Sequence, residues 1–183
     1  MSEWSTAETK AESPKGTKPR LPPRWFIHLF WVGHRRLYRL SGGRVGLWRP
    51  KPGKWGAMRL TTIGRRTGRE HPVIVGYVED GPNFVTLAMN GWGDGEPAWW
   101  LNLQAHPEVR ADLPDGPRLV SGRAARGEER ERLWERWRQI DENLDAYAAR
   151  RSMETAVVIL EPRPGPDTEA SRSTGSPGSK RQE

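Results

Sequence analysis

The residues best suited to chemistry gather in Gly64, Arg65, Arg66, Thr67, Gly68 and Arg69, at the end of an extended run that begins at Arg59. Glycine reaches positive φ without steric cost, so two glycines four apart can turn backbone N–H groups towards one point as an anion-binding nest. Arg65, Arg66 and the Thr67 hydroxyl add donors for charge-assisted bonds to phosphate or carboxylate oxygens. The same residues also suit an ordinary basic turn between two strands, and the pattern alone leaves both readings open. Other chemistries find less support. The chain has no cysteine, which excludes disulfides, thiolate catalysis and zinc–cysteine or iron–sulfur sites. His28 and His34 stand six apart, on different faces of a helix, so no metal site is expected. Nothing resembles a nucleophile elbow, so hydrolysis has no basis.

Charge points the same way as the loop. The 183 residues carry a formal charge of +7. Between Leu21 and Arg69 stand twelve Lys and Arg and not one Asp or Glu. Such a field attracts an extended anion: nucleic acid, anionic lipid or a polyanionic cofactor. The bland alternative is a set of solvated arginines. No run approaches the ~18 apolar residues of a spanning helix, and the N-terminus is polar rather than signal-like, so a cytoplasmic protein is expected.

These residues need elements to hold them. Residues 1–23 mix Ser, Thr, Glu, Lys and Pro and read as a disordered arm. Phe26, Leu29, Phe30, Leu37 and Leu40 recur at helical spacing over 24–40, as a helix capping the domain or, with Trp25 and Trp31 beside basic residues, as an interfacial helix. Residues 41–56 read as an irregular connector. Strands are expected at about 57–63, 71–78 and 83–89, with a turn at 79–82. A Gly-rich loop leads to a helix over 98–105, opened by Pro97 and ended by His106 and Pro107. Residues 109–113 and 118–124 form a second hairpin, 128–140 a charged helix with Leu144 and Tyr147 on a further turn, and 156–160 a buried strand. Residues 163–183 read as a disordered tail. The fold class is therefore mainly β with α: about six mostly antiparallel strands in a small barrel or strongly curved sheet with covering helices, in one domain over 24–162.

Two motifs in order carry a resemblance. Thr61-Thr62-Ile63-Gly64-Arg65-Arg66-Thr67-Gly68 and Glu96-Pro97-Ala98-Trp99-Trp100-Leu101-Asn102-Leu103, with His106-Pro107, resemble the deazaflavin-dependent nitroreductases, also called F420-dependent quinone reductases. The likeness extends from about Arg36 to Pro162. It implies a split β-barrel, coenzyme F420, and hydride transfer to a quinone-like or other electron-poor acceptor. The coenzyme's phosphodiester and oligoglutamate tail are the kind of anion that the acid-free half would attract.

By the same resemblance, Thr62, Gly64, Arg65, Arg66, Thr67, Gly68 and Arg69 belong to the phosphate loop. Ala88, Met89, Asn90 and Gly91 meet the deazaflavin ring, Trp99 and Asn102 complete the coenzyme site, and Tyr147 donates a hydrogen bond or proton on the acceptor side. Met89-Asn90, His71 and Leu144 depart from the family's pattern, which bears on the acceptor more than on the coenzyme.

Each group also has a plainer reading. Trp99 and Trp100 point about 100° apart on a helix, so at least one packs in the core. Leu133, Trp134 and Trp137 form a core stripe, and His71 and His106 suit surface or capping positions. Two alternatives stand beside the reductase. One is a split-barrel oxidoreductase holding FMN, whose phosphate suits the same loop. The other is a non-catalytic binder of membrane surface or nucleic acid, with lipid contact through residues 24–40. The aromatic–basic alternation of an RNA-binding sheet is missing, so nucleic acid is not expected.

Overall fold

The computed structural model describes residues 46–164, so the expected arm, the helix over 24–40, His28, His34 and most of the tail lie outside the described residues. Six strands account for most of the rest: β1 (Gly56–Ile63), β2 (Glu70–Asp80), β3 (Asn83–Leu87), β4 (Glu108–Leu113), β5 (Gly116–Ala124) and β6 (Val157–Pro162). All pairs are antiparallel, and the order β1-β2-β3-β6-β5-β4 closes back on β1 as a barrel. Closure leaves no sheet edge to template aggregation. Among the described residues three helices cover it: α1 (Ala98–Ala105), α2 (Gly127–Arg138) and α3 (Leu144–Ala148).

Strand periodicity sorts the core into two bodies. Met58 and Leu60, Val75 and Tyr77, and Val109, Ala111 and Leu113 alternate into the barrel interior, where Trp99, Trp100 and Leu103 of α1 join them. A second cluster lies under α2 and α3, where Leu133, Trp134, Trp137 and Leu144 meet Val78, Val85 and Leu87. Strand β6 serves both, Val158 and Leu160 in the first cluster and Val157 and Ile159 in the second. Burial on both faces is why its sequence is an unbroken apolar run.

The boundaries differ from the sequence reading where pairing outweighs local composition. Glu79 and Asp80 belong to β2, opposite Phe84 and Asn83, so the turn shrinks to Gly81 and Pro82, with Gly81 at φ +60°. Glu161 and Pro162 continue β6 because Ser121 and Val120 offer partners. Pro97 is the N-cap of α1, extended at ψ 141°, rather than part of its first turn. Helix α1 lies hard against β5. A β-carbon on Gly122 would fall 2.5 Å from Leu103 Cδ2, so this glycine sets how closely the helix approaches. No helix among the described residues is long and apolar enough to cross a membrane.

Candidate functional site

The chain leaves β1 at Ile63 and turns back into β2 through residues 64–69. The Gly64 amide donates to the Arg69 carbonyl at 2.8 Å, while the amides of Thr67 and Gly68 donate to the Gly64 carbonyl at 3.1 and 2.8 Å. The Arg69 amide donates to Thr67 Oγ1 at 3.3 Å. Gly68 takes φ +66°, which lets the turn close. The loop therefore spends most of its amides on itself, and the expected cluster of free N–H groups is not formed. Its capacity to hold an anion resides in side chains instead.

Two side chains crowd position 64. A β-carbon there would lie 2.6 Å from Thr67 Oγ1 and 2.8 Å from the His71 ring, and those two groups are 3.5 Å apart across the turn. The tight loop thus brings a hydroxyl and an imidazole together in front of two arginines.

Helix α1 fixes the loop from the other side. Asn102 is 5% exposed, and its Oδ1 accepts from the Arg65 amide at 3.2 Å and from Arg65 Nη1 at 3.3 Å. Its Nδ2 donates to Thr62 Oγ1 at 3.4 Å, and that hydroxyl donates to the His71 carbonyl at 3.1 Å. One string of bonds therefore runs from β2 through β1 and α1 to the loop. Every polar atom of a buried amide side chain needs such partners, which is why an asparagine stands on an otherwise apolar helix face.

Between the loop and the start of α1 lies an open cavity of about 460 Å³. Arg65, Arg66, Thr67 and His71 form one wall, and Asn90, Pro97, Trp99 and Asn102 the other. Gly64, Pro72, Val73 and Ala98 complete it, and among the described residues no acidic side chain lines it. The lining is cationic and hydroxylic at one side and aromatic at the other. A flat molecule with an anionic extension matches that division.

The segment carrying Asn90 and Pro97 is tied down from behind by Arg151, whose side chain is fully buried. Arg151 Nη1 donates to the Ala88 carbonyl at 3.0 Å and to Thr155 Oγ1 at 2.7 Å, and Nη2 donates to the Gly95 carbonyl at 3.0 Å. Glu96 Oε2 lies 4.0 Å from the same guanidinium. Next door, the Ser152 amide and hydroxyl both donate to Asp94 Oδ1, at 2.8 and 2.9 Å. Trp92 holds a left-handed backbone at φ 58°, unusual for a bulky residue, and stacks on Tyr147 with ring centroids 5.7 Å apart.

Of the residues singled out from sequence, the fold gathers Gly64, Arg65, Arg66, Thr67, Asn90, Trp99 and Asn102 around one cavity. Thr62 is buried directly behind, holding Asn102. Gly68 and Arg69 are exposed on the loop outside the lining. Ala88 is sealed in the barrel core, Met89 packs against the second cluster, and Gly91 is exposed. Tyr147 is half-buried on α3, between Trp92 and the Arg150 guanidinium 5.9 Å from its ring. Trp99 and Trp100 are both core residues, and Trp99 alone of the two lines the cavity. His71, Pro72, Val73 and Pro97 were not expected there. The antiparallel register across the loop, Thr62 opposite His71, is the signal that places His71 beside it. Arg151 had no sequence signal at all. Among the described residues no cluster of three His, Asp or Glu side chains could hold a metal ion.

Comparison with known proteins gives a consistent picture. Residues 31–162 match the family model described as F420H(2)-dependent quinone reductase. An F420H(2)-dependent quinone reductase of Mycobacterium tuberculosis is 28% identical over 132 residues, spanning 69% of this chain and 86% of that one. A solved F420-H2 dependent reductase superposes with a TM-score of 0.53 at 25% identity, covering 57% of this chain and 93% of its own. A structure described as a domain-swapped dimer gives a TM-score of 0.56 at 24% identity, covering 76% and 100%, and supports the fold.

Proposed function

The chain belongs to the F420H(2)-dependent quinone reductase family, and on that premise we propose that the cavity between the 64–69 loop and α1 binds coenzyme F420 and presents it to a quinone-like or other electron-poor acceptor. The observation carrying this reading is the lining itself: two arginines and a hydroxyl on one side, tryptophan and proline on the other, and no carboxylate among the described residues. A phosphodiester with an acidic tail would be repelled by a single buried acid here and is attracted by Arg65 and Arg66.

Bound and reduced, the coenzyme supplies a hydride; the protein supplies position and electrostatics. Arg65, Arg66 and Thr67 hold the phosphate, and Asn102 holds Arg65 in place to do so. Trp99 and Pro97 offer an apolar wall to a flat ring, with Asn90 at its margin. Tyr147, whose ring meets Trp92 of the 90–97 segment, takes the acceptor side as a hydrogen-bond donor to the reduced product.

Titration with oxidised F420, followed by its fluorescence, tests the assignment. Binding should be saturable, and alanine at Arg65 and at Arg66 should each weaken it by about 1.5–3 kcal/mol, roughly 10- to 150-fold. Failure to bind F420 while FMN binds would overturn the proposal. Tyr147→Phe should lower kcat with a quinone acceptor and leave coenzyme affinity unchanged.

A further inference from the structure

The turn that opens the 90–97 segment is left-handed at both central positions, Gly91 at φ +56° and Trp92 at φ +58°, and the Gly93 amide donates to the Asn90 carbonyl at 3.0 Å. This is the pattern of a type I′ turn, whose central positions favour glycine, asparagine and aspartate. Among the described residues Trp92 alone has a positive φ without being glycine. A bulky side chain is strained there, and such strain persists where the surroundings over-determine it. Here they do. Asn90 Nδ2 donates to the Asp94 carbonyl at 3.3 Å, Ser152 holds the Asp94 carboxylate, and Arg151 holds the Gly95 carbonyl. Arg151 and Ser152 stand just past the end of α3, so the turn is tied to the helix that carries Tyr147. The Trp92 and Tyr147 rings, tilted by 34° and both half-buried, are therefore one fixed aromatic surface. The stem of the turn, Asn90, lines the cavity assigned to the coenzyme, and its tip, Trp92, does not.

We propose that Trp92 is a specificity-determining residue for the electron acceptor: paired with Tyr147, its indole is the face on which a flat, fused-ring conjugated acceptor lies. The proposal deepens the function given above and rests on it, including the place of Tyr147 on the acceptor side. Flat conjugated rings attract one another in offset stacks, and the apolar gain grows with the area covered. A fused two-ring quinone therefore gains more from the indole than a one-ring quinone does. Glycine flanks Trp92 on both sides, and glycine at position 92 would take the same backbone without strain, so the turn itself does not call for a tryptophan. The indole also packs on the core cluster under α2 and α3. Packing is the competing account, and it implies the same loss for every acceptor when the indole is removed.

The experiment is calorimetric titration of the full chain, saturated with oxidised F420 so that no turnover occurs, with menadione (two fused rings) and with duroquinone (one ring). Trp92→Gly should weaken menadione about 10-fold and duroquinone only about 2-fold, with F420 affinity unchanged. Trp92→Phe, which keeps a smaller ring, should weaken menadione about 3-fold, and it decides the matter alone if the glycine variant does not fold. In turnover with the reduced coenzyme the loss should appear in KM rather than in kcat. An equal loss for both quinones, no loss for either, or a fall in F420 affinity as large as that for menadione would overturn the proposal. A parent that binds no F420 would remove the function on which it rests. A parent that binds F420, with variants that treat the two quinones alike, would remove this proposal alone.

Discussion

Asn102 Oδ1 accepts two hydrogen bonds from one residue, from the Arg65 amide at 3.2 Å and from the Arg65 guanidinium at 3.3 Å. A single buried acceptor thereby sets both the backbone at the head of the loop and the direction of its first cation. Asn102→Leu keeps the branched four-atom shape and removes the link. It leaves the Arg65 amide without its acceptor and Thr62 Oγ1 without the Asn102 donor, a cost of about 1–3 kcal/mol. F420 affinity should fall roughly 10-fold in a fluorescence titration, since Arg65 then samples many rotamers. Unchanged affinity would mean that the loop holds its own shape.

Gly64→Ala probes the loop without touching a charge. Its β-carbon would displace Thr67 and His71, which the present geometry brings within 3.5 Å of each other. Coenzyme binding should weaken more than 10-fold, at a stability cost of about 1–3 kcal/mol. Isothermal titration together with a thermal melt separates the two effects. A variant that melts early but binds normally would place the phosphate elsewhere.

Arg151→Met removes a buried cation that serves Ala88, Gly95 and Thr155 and faces Glu96. Breaking such a cluster from one side leaves unpaired carbonyls and an uncompensated carboxylate, about 3–5 kcal/mol. The melting temperature should drop by roughly 10 °C. Because this residue anchors the segment bearing Asn90 and Pro97, coenzyme affinity should fall even well below the melt.

Acid should loosen the α2 contact through Asp80. Both its oxygens accept from Arg132 at 2.8 Å, and this pairing holds the carboxyl below its ordinary range, aided by the charges of Arg132 and Arg136. A depressed carboxyl stabilises the fold above its unfolded pKa, about 3.9, and that contribution disappears as pH falls through the native value. Parent and Asp80→Asn should therefore differ in melting temperature at neutral pH and converge below about pH 4. A gap that stays constant with pH would assign the effect to packing.

Element types could be read directly, because they rest on local physics, while the candidate site beyond the basic loop entered through the family resemblance. The extended run from Arg59 marked β1, the apolar run over 156–160 marked a buried strand, and Pro97 with His106-Pro107 bracketed α1. The basic loop was visible as residue types, Asn102 came through the resemblance, and the charge distribution pointed to an anion.

What only the folded chain decided is non-local. The order β1-β2-β3-β6-β5-β4 depends on which strands close the barrel, and no stretch of sequence carries that choice. The contact between Asn102 and Arg65 spans 37 positions, and Arg151 reaches 63 positions back to Ala88, so neither leaves a periodic trace. The loop's amides turn inward onto the Gly64 and Arg69 carbonyls, which leaves the side chains of Arg65 and Arg66 to line the cavity. Hydrogen bonds and buried charges are settled by whichever partner is nearest in space. Sequence states what each side chain can offer, and the tertiary fold decides to whom.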